Sequence, residues 1–331
     1  MISRTPEGIR YSLVLPVFNE EAVLPLLLHR LDKLVASLDA PAEVIFVDDG
    51  SRDTSAILLE AMAKEKPHIR FIKLSRNFGQ QYAATAGMDA ASGDAVILMD
   101  ADLQDPPEVV QEMIARWKEG YEIVYARRSA RAGETFFKKF TSKLFYRLLG
   151  KLSDVEIPRD VSDFRLMDRG VVEAFREMPE RDRYLRGMIH WLGFKQTSVT
   201  FERPARAAGE TKYNFWKLLR LAVSALISFS DAPLKAAVWV GACVSVFAAG
   251  YGAYAIYRGL FADDIASGWA STVVIVSFLC GINMLLTGMV GIYVGRIHSE
   301  VKRRPLYVVS KRVGFESVRE EASGDKVRRA G

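Results

Sequence analysis

Apolar, β-branched runs recur through the first part of the chain at Tyr11 to Val17, Glu43 to Val47, Ile69 to Leu74, Ala95 to Met99 and Glu122 to Ala126. Each reads as a strand, and the stretches between them carry helical patterns. Strands alternating with helices predict an α/β domain with a mostly parallel sheet covered on both faces. In a sheet of that kind ligands bind outside the carboxyl ends of the strands.

Distinctive polar residues stand at those ends. Pro16-Val17-Phe18-Asn19-Glu20-Glu21 follows the first run, Asp48-Asp49-Gly50-Ser51 the second and Arg76-Asn77-Phe78-Gly79 the third. The fourth run leads into Asp100-Ala101-Asp102-Leu103-Gln104-Asp105, and the fifth into Arg127-Arg128. Any one of these is ordinary cap or turn chemistry. At five converging strand ends they predict a site. Carboxylates two residues apart supply the hard oxygen ligands of Mg²⁺ or Mn²⁺, and Mg²⁺ in proteins is commonly held together with substrate phosphates. An acidic turn capping the helix that Pro106 and Pro107 begin is the alternative. No Gly-x-Gly-x-x-Gly follows the first strand and no Walker lysine is present, so metal and basic side chains must hold any phosphates.

The second part of the chain changes character. No charge occurs from Ala236 to Tyr257 or from Trp269 to Val294, and each run is long enough to span a bilayer as a helix. Lys212, Lys217, Arg220 and Lys235 precede the first span, and Arg296, Lys302, Arg303 and Arg304 follow the second, so both flanks are expected on the cytoplasmic side. The connecting loop sets Arg258 against Asp263 and Asp264 and belongs outside. Met1 to Tyr11 is mostly polar, with no charged-then-apolar leader, which agrees with an N-terminal domain that is not exported.

Between the two parts, Phe136, Phe137, Phe140, Leu144, Phe145, Leu148 and Leu149 recur at helical spacing beside Lys138, Lys139, Lys143, Arg147 and Lys151. This predicts a basic amphipathic helix over residues 135–151 lying in the headgroup layer, or a surface helix packed on the domain. Asn214 to Phe229 repeats the pattern more weakly. Gly291-Ile292-Tyr293-Val294-Gly295 forms a small-xxx-small face that could join the two spans or two protomers. Arg304 to Val309 reads as a short strand, and residues beyond Glu316 as a charged, disordered tail. The net charge of +5 is concentrated near the expected membrane face, which suits anionic lipid and not nucleic acid. The two cysteines, Cys243 and Cys280, both lie within the spans and support neither a disulfide framework nor a zinc site.

Leu15-Pro16-Val17-Phe18-Asn19-Glu20-Glu21, Val47-Asp48-Asp49-Gly50-Ser51, Asp100 to Pro107, Asp163-Phe164-Arg165-Leu166 and Arg206-Ala207-Ala208-Gly209-Glu210-Thr211-Lys212-Tyr213 occur in an order that resembles family 2 glycosyltransferases of the GT-A fold. The last three segments narrow the resemblance to the polyprenyl-phosphate branch, with bactoprenol glucosyltransferases and dolichyl-phosphate mannose synthases. It implies a GT-A doubly wound domain over residues 1–213, a juxtamembrane helix over 214–232, two spans within 233–296 and a cytoplasmic tail over 297–331 of an inner-membrane protein.

The resemblance assigns nucleotide-sugar binding to Pro16, Phe18, Glu20, Asp48, Asp100, Ala101 and Asp102. It assigns the cation, Mg²⁺ or Mn²⁺, to Asp100, Asp102 and Gln104. Donor and acceptor are both anions and need cations between them, for which Arg128, Arg206 and Lys212, with Thr211 beside them, are candidates, a solvated surface charge being the alternative for each basic residue. Asp163 matches a position often assigned as base, with an orienting role as the alternative. The implied reaction is inverting transfer of a sugar from a nucleotide sugar to undecaprenyl phosphate. Asp163 to Met167 and Gly193 to Thr197 favour UDP-glucose as the donor, while mannose, N-acetylglucosamine and amino-arabinose derivatives stay open. A processive polysaccharide synthase would carry Gln-x-x-Arg-Trp, which Gln111 and Arg116-Trp117 do not provide. The intact pair Asp100 and Asp102 counts against a non-enzymatic scaffold.

Overall fold

The structure, a computed structural model, describes residues 8, 10–128, 161–181, 183–201, 232–261 and 269–315. The predicted interfacial helix at 135–151, most of the juxtamembrane helix and the tail past Glu316 lie outside these residues. The chain divides into two compact units. One lies within 1–133, 157–211 and 305–331, the other within 134–156 and 212–304.

The first unit is a three-layer α/β/α arrangement around an eight-stranded sheet. In chain order it contains β1 (Tyr11–Val17), α1 (Leu24–Ser37), β2 (Ala42–Asp48), α2 (Ser55–Glu65), β3 (Ile69–Leu74), α3 (Gln80–Ala90), β4 (Ala95–Leu98) and α4 (Val109–Lys118). There follow β5 (Ile123–Arg128), β6 (Val161–Asp168), α5 (Arg169–Glu177), α6 (Leu185–Trp191), β7 (Gln196–Phe201) and, far along the chain, β8 (Val309–Val313). The order across the sheet is β7-β5-β6-β4-β1-β2-β3-β8.

Strand β1 is central and fully apolar apart from Ser12, as a strand covered on both faces must be. Pro16 lies past Val14, the last β1 residue paired with β4, so its missing N–H leaves that ladder intact. Helices α1, α2 and α4 cover one face. The buried Val110, Met113, Ile114 and Trp117 of α4 give the i, i+3, i+4, i+7 stripe that a one-sided helix needs. Helices α3, α5 and α6 cover the other face through Ala83, Ala84, Val171, Val172, Phe175, Leu185 and Met188.

Two features differ from the sequence reading. Strand β6 runs antiparallel between β4 and β5, separating two strands that the alternation suggests as neighbours. Its pattern hides it, because Arg165 is buried between the buried Phe164 and Leu166 and breaks the apolar run. The strand expected at Arg304 to Val309 instead begins at Val309. Pro305 has no N–H to give a ladder, and pairing with β3 follows only after Ser75 N–H donates to the Val308 carbonyl (2.9 Å). Strand β8 is then fastened by Ser310 Oγ to the Lys73 carbonyl (3.0 Å) and by Lys311 Nζ to Glu60 Oε1 (2.7 Å).

The second unit contains α7 (Ala232–Phe261) and α8 (Trp269–Val301). Within them, Ala237–Tyr254 and Val274–Val301 are long and apolar enough to cross a membrane. Trp239, Phe247 and Leu285 are each more than 70% exposed, an apolar surface that calls for hydrocarbon or another protein. Gly291 and Gly295 have open space where a Cβ would stand.

Candidate active site

The carboxyl ends of β1, β2, β3 and β4 share one edge of the sheet because the four strands are parallel. Asp48 closes β2 with a wholly buried side chain. Its Oδ1 accepts from Ser51 N–H (3.1 Å), while its Oδ2 has no hydrogen-bond partner. A buried carboxylate oxygen without a donor is costly, so the position is built for a donor brought by a ligand.

Its neighbour Asp49 does different work. The carboxylate accepts from Phe78 N–H (2.7 Å) and Gly79 N–H (2.9 Å), so it fixes the loop leading into α3. Burial pushes the Asp49 pKa up, and those two backbone donors oppose the shift.

The loop after β1 is locked to the loop after β2. Asn19 N–H donates to Ser51 Oγ (2.9 Å), Glu20 N–H to Ser55 Oγ (2.9 Å) and Glu21 N–H to Asp53 Oδ2 (3.2 Å). In return Arg52 N–H reaches Asn19 Oδ1 (2.8 Å), and Glu21 Oε2 accepts from both Thr54 N–H (2.9 Å) and Thr54 Oγ (2.6 Å). These reciprocal bonds make a rigid rim, above which Phe18 is 41% exposed and Pro16 and Glu20 are half-buried. An exposed ring beside the Asp48 carboxylate can stack on a planar base.

The acidic segment after β4 is a tight loop and not merely a cap. Asp100 N–H donates to Asp105 Oδ2 (3.1 Å), Gln104 N–H donates to Asp102 Oδ1 (3.0 Å), and Leu103 adopts the left-handed φ of 60°. Ala101 and Leu103 are buried beneath it, so any ligand contact at Ala101 is through its backbone. Asp105 is the clasp of the loop. Gln104 is buried with its Nε2 unpartnered, and Asp100 Oδ1 accepts from Gln80 Nε2 (2.5 Å) at the start of α3.

Strand β6 brings a further carboxylate to this edge. Ala95 pairs with Asp168 and Leu98 with Arg165 in antiparallel register, so continuing by two residues sets Asp163 opposite Asp100. Asp163 is gripped by Arg186 of α6, whose Nε donates to Oδ1 (2.7 Å) and Nη2 to Oδ2 (2.9 Å). The buried Arg165 lies behind, with Nη2 3.5 Å from Asp163 Oδ1. Burial, aided by the neighbouring Arg186 charge and opposed by Asp163, drives the Arg165 pKa down to about 10.

The electrostatics of the seat reflect crowded carboxylates. The Asp100 pKa is pushed up to about 8, chiefly by burial, then by the carboxylates of Asp105, Asp163 and Asp102, with Arg186 pulling the other way. Among the described residues no three His, Cys, Asp or Glu side chains converge as a complete metal cage. Two carboxylates and an amide are nevertheless a fitting donor set for a hard cation that completes its shell with phosphate oxygens and water. The excess of buried negative charge fits it as well.

This has a thermodynamic consequence. Asp100 ordinarily titrates at 3.8, so between there and about 8 the folded state holds a proton that the unfolded chain has released. Stability without a cation therefore falls as pH rises across that window. Asp100→Asn removes the penalty, and the cation-free melting temperature at pH 8.5 should rise by on the order of a few degrees. An unchanged or lower melting temperature would contradict the crowding.

Residues 12–176 match the family described as Glycosyl transferase family 2. The uncharacterized glycosyltransferase YkcC of Bacillus subtilis (strain 168) is 47% identical over 94% of this chain and 96% of its own. The chain belongs to glycosyltransferase family 2. Bactoprenol glucosyl transferase of Shigella phage SfII is 39% identical over 92% of the family 2 chain and 98% of its own. Among solved structures, glucosyl-3-phosphoglycerate synthase from Mycobacterium tuberculosis, in complex with Mn²⁺, UDP and phosphoglyceric acid, overlays with a TM-score of 0.47 at 20% identity, covering 67% of this chain and 78% of that one.

In this family 2 glycosyltransferase, Pro16, Phe18, Glu20, Asp48, Asp100, Ala101, Asp102, Gln104 and Asp163 fall along one sheet edge. Arg128 ends β5, with its side chain outside the described residues, and Arg206, Thr211 and Lys212 lie outside them altogether. Sequence reasoning missed Asp49, Gln80, Asp105 and Arg186 as parts of the site. The first and third stood inside quoted motifs, whereas Gln80 and Arg186 give no local signal and enter only through tertiary contacts.

Proposed function

We propose that this glycosyltransferase moves glucose from UDP-glucose to a polyprenyl phosphate at the cytoplasmic face of a bacterial inner membrane, with inversion at the anomeric carbon. The observation that carries the lipid acceptor is the extent of the likeness to the phage bactoprenol glucosyl transferase, which at 98% of that protein spans both the sheet unit and the apolar helices. The apolar surface of α7 and α8 supports a bilayer anchor. The chain leaves the sheet unit before α7 and rejoins the same sheet at β8, which supports an even number of crossings and both flanks on one side.

Each residue then has a task. Asp48 Oδ2 accepts a ring N–H of the base, and Phe18 stacks against it. Asp100, Asp102 and Gln104 would hold a divalent cation, which would supply positive charge to offset that growing on the leaving diphosphate. A phosphate monoester, with a second pKa of about 6, is already largely ionised at neutral pH and attacks without a general base. The acceptor oxygen bonds to the anomeric carbon as the carbon–oxygen bond to the diphosphate breaks.

Asp48→Asn presents an amide N–H or a neutral carbonyl where a carboxylate oxygen stood. UDP binding measured calorimetrically with Mn²⁺ should weaken about 10- to 100-fold, since a buried acceptor–donor pair is worth roughly 1.5–3 kcal/mol when charged. Unchanged affinity would move the base elsewhere. The donor itself is tested by offering labelled UDP-glucose, UDP-N-acetylglucosamine and GDP-mannose with undecaprenyl phosphate. UDP-glucose should give the largest kcat/KM, and a tenfold preference for another donor would overturn the assignment of the sugar.

A further inference from the structure

Asp163 has the place of a proton acceptor but not the surroundings of one. Both its oxygens are taken by the Arg186 fork at 2.7 and 2.9 Å, and Arg165 Nε donates to the carbonyl of the same residue (3.2 Å). A proton arriving at Asp163 would have to compete with that charge-assisted bidentate pair for the electron density of the same carboxylate. The side chain of Asp163 is only 13% exposed, against 36% for Arg186.

The pair is also held from behind. The buried Leu185, Met188 and Ile189 anchor α6 in the core, and Leu185 N–H donates to Gln81 Oε1 (3.0 Å). The preceding residue, Gln80, grips Asp100 Oδ1 from the same turn of α3. Adjacent glutamines thus tie the metal seat and the helix carrying Arg186 to one frame. Arg186 itself lies beyond residues 12–176, the part matched by the family as a whole.

We propose that Arg186 is a positioning residue that holds the Asp163 carboxylate in one orientation, by its two-point grip, beside the reacting sugar. The inference rests on the transfer reaction proposed above. Asp163 then stabilises positive charge developing on the sugar ring as the bond to the leaving diphosphate lengthens. The electron pair of that bond departs with the diphosphate, the acceptor oxygen supplies the new pair, and no proton is transferred to Asp163. Arg186 acts through Asp163 and need not touch either substrate.

The test is a double-mutant cycle on the full chain in detergent, with Arg186→Ala, Asp163→Asn, the double variant and Arg186→Lys. Lipid-product formation gives kcat, calorimetry with Mn²⁺ gives UDP affinity, and thermal unfolding reports folding. Each single substitution should lower kcat about 100-fold, with UDP affinity within about threefold of wild type. The double variant should be no more than about threefold slower than the slower single, because both remove one unit. Arg186→Lys keeps the charge without the fork and should recover part of the loss, as should added guanidinium with Arg186→Ala. Multiplicative losses, a fall in UDP affinity matching the fall in kcat, or wild-type kcat in Arg186→Ala would each overturn the role. Wild-type protein assayed in parallel separates the two levels, since absence of wild-type lipid product is failure of the transfer reaction itself.

Discussion

Asp102→Asn should reduce sugar transfer by about a thousandfold or more while leaving the fold unchanged. The substitution is nearly isosteric, and the Oδ1 that accepts from Gln104 N–H is retained in the amide, so the loop keeps its turn. What disappears is one of two carboxylates available to a cation that must balance the leaving diphosphate. On the proposed role for Asp102, losing that charge removes transition-state stabilisation of several kcal/mol. Initial rates across a Mn²⁺ titration, alongside thermal unfolding, test this. A rate within tenfold of wild type at saturating Mn²⁺ would place the cation elsewhere.

Gly50→Ala should be among the most damaging single-methyl changes in the sheet unit. Gly50 has φ of +72°, and a Cβ there would stand 2.6 Å from the Arg76 carbonyl carbon and 2.7 Å from Asn77 N. Both obstacles are backbone and cannot swing aside. Left-handed strain of about 1 kcal/mol adds to overpacking of about 1–3 kcal/mol. For a unit of this size the sum lowers the melting temperature by roughly 5–15 °C. Activity should fall as well, because the displaced segment leads into the Phe78 and Gly79 amides held by Asp49 and on to Gln80 at Asp100. Gly120→Ala is the control, with φ of +92° but nothing within 4 Å of the added methyl. It should show the strain alone, and equal losses at the two positions would remove the steric explanation.

The contrast between these sites shows what the sequence could reveal. Strands β1 to β5 were readable because β-branched, aliphatic and aromatic residues dominate their runs, and their ends lie within two residues of the sequence reading. Strand β6 was hidden because Asp163, Arg165 and Asp168 interrupt its apolar residues. Asp48, Asp100 and Asp102 announced themselves as carboxylates directly after apolar runs. Arg186 could not, being 23 residues from its partner in a helix whose placement depends on packing against α3. Asp49 and Asp105 were visible as residues, but not as the clasps of their loops, since only the paired backbone N–H groups reveal that task.

Transfer of glucose to a lipid phosphate is read from how the labelled product partitions between water and organic solvent. Full-length protein in detergent is incubated with radiolabelled UDP-glucose, Mn²⁺ and undecaprenyl phosphate, then extracted with organic solvent. Organic-soluble label should appear that depends on both lipid and cation, is lost in Asp102→Asn, and carries one glucose per lipid in the inverted configuration. Label recovered only as free glucose or as a water-soluble polymer, with UDP-glucose consumed, would contradict it.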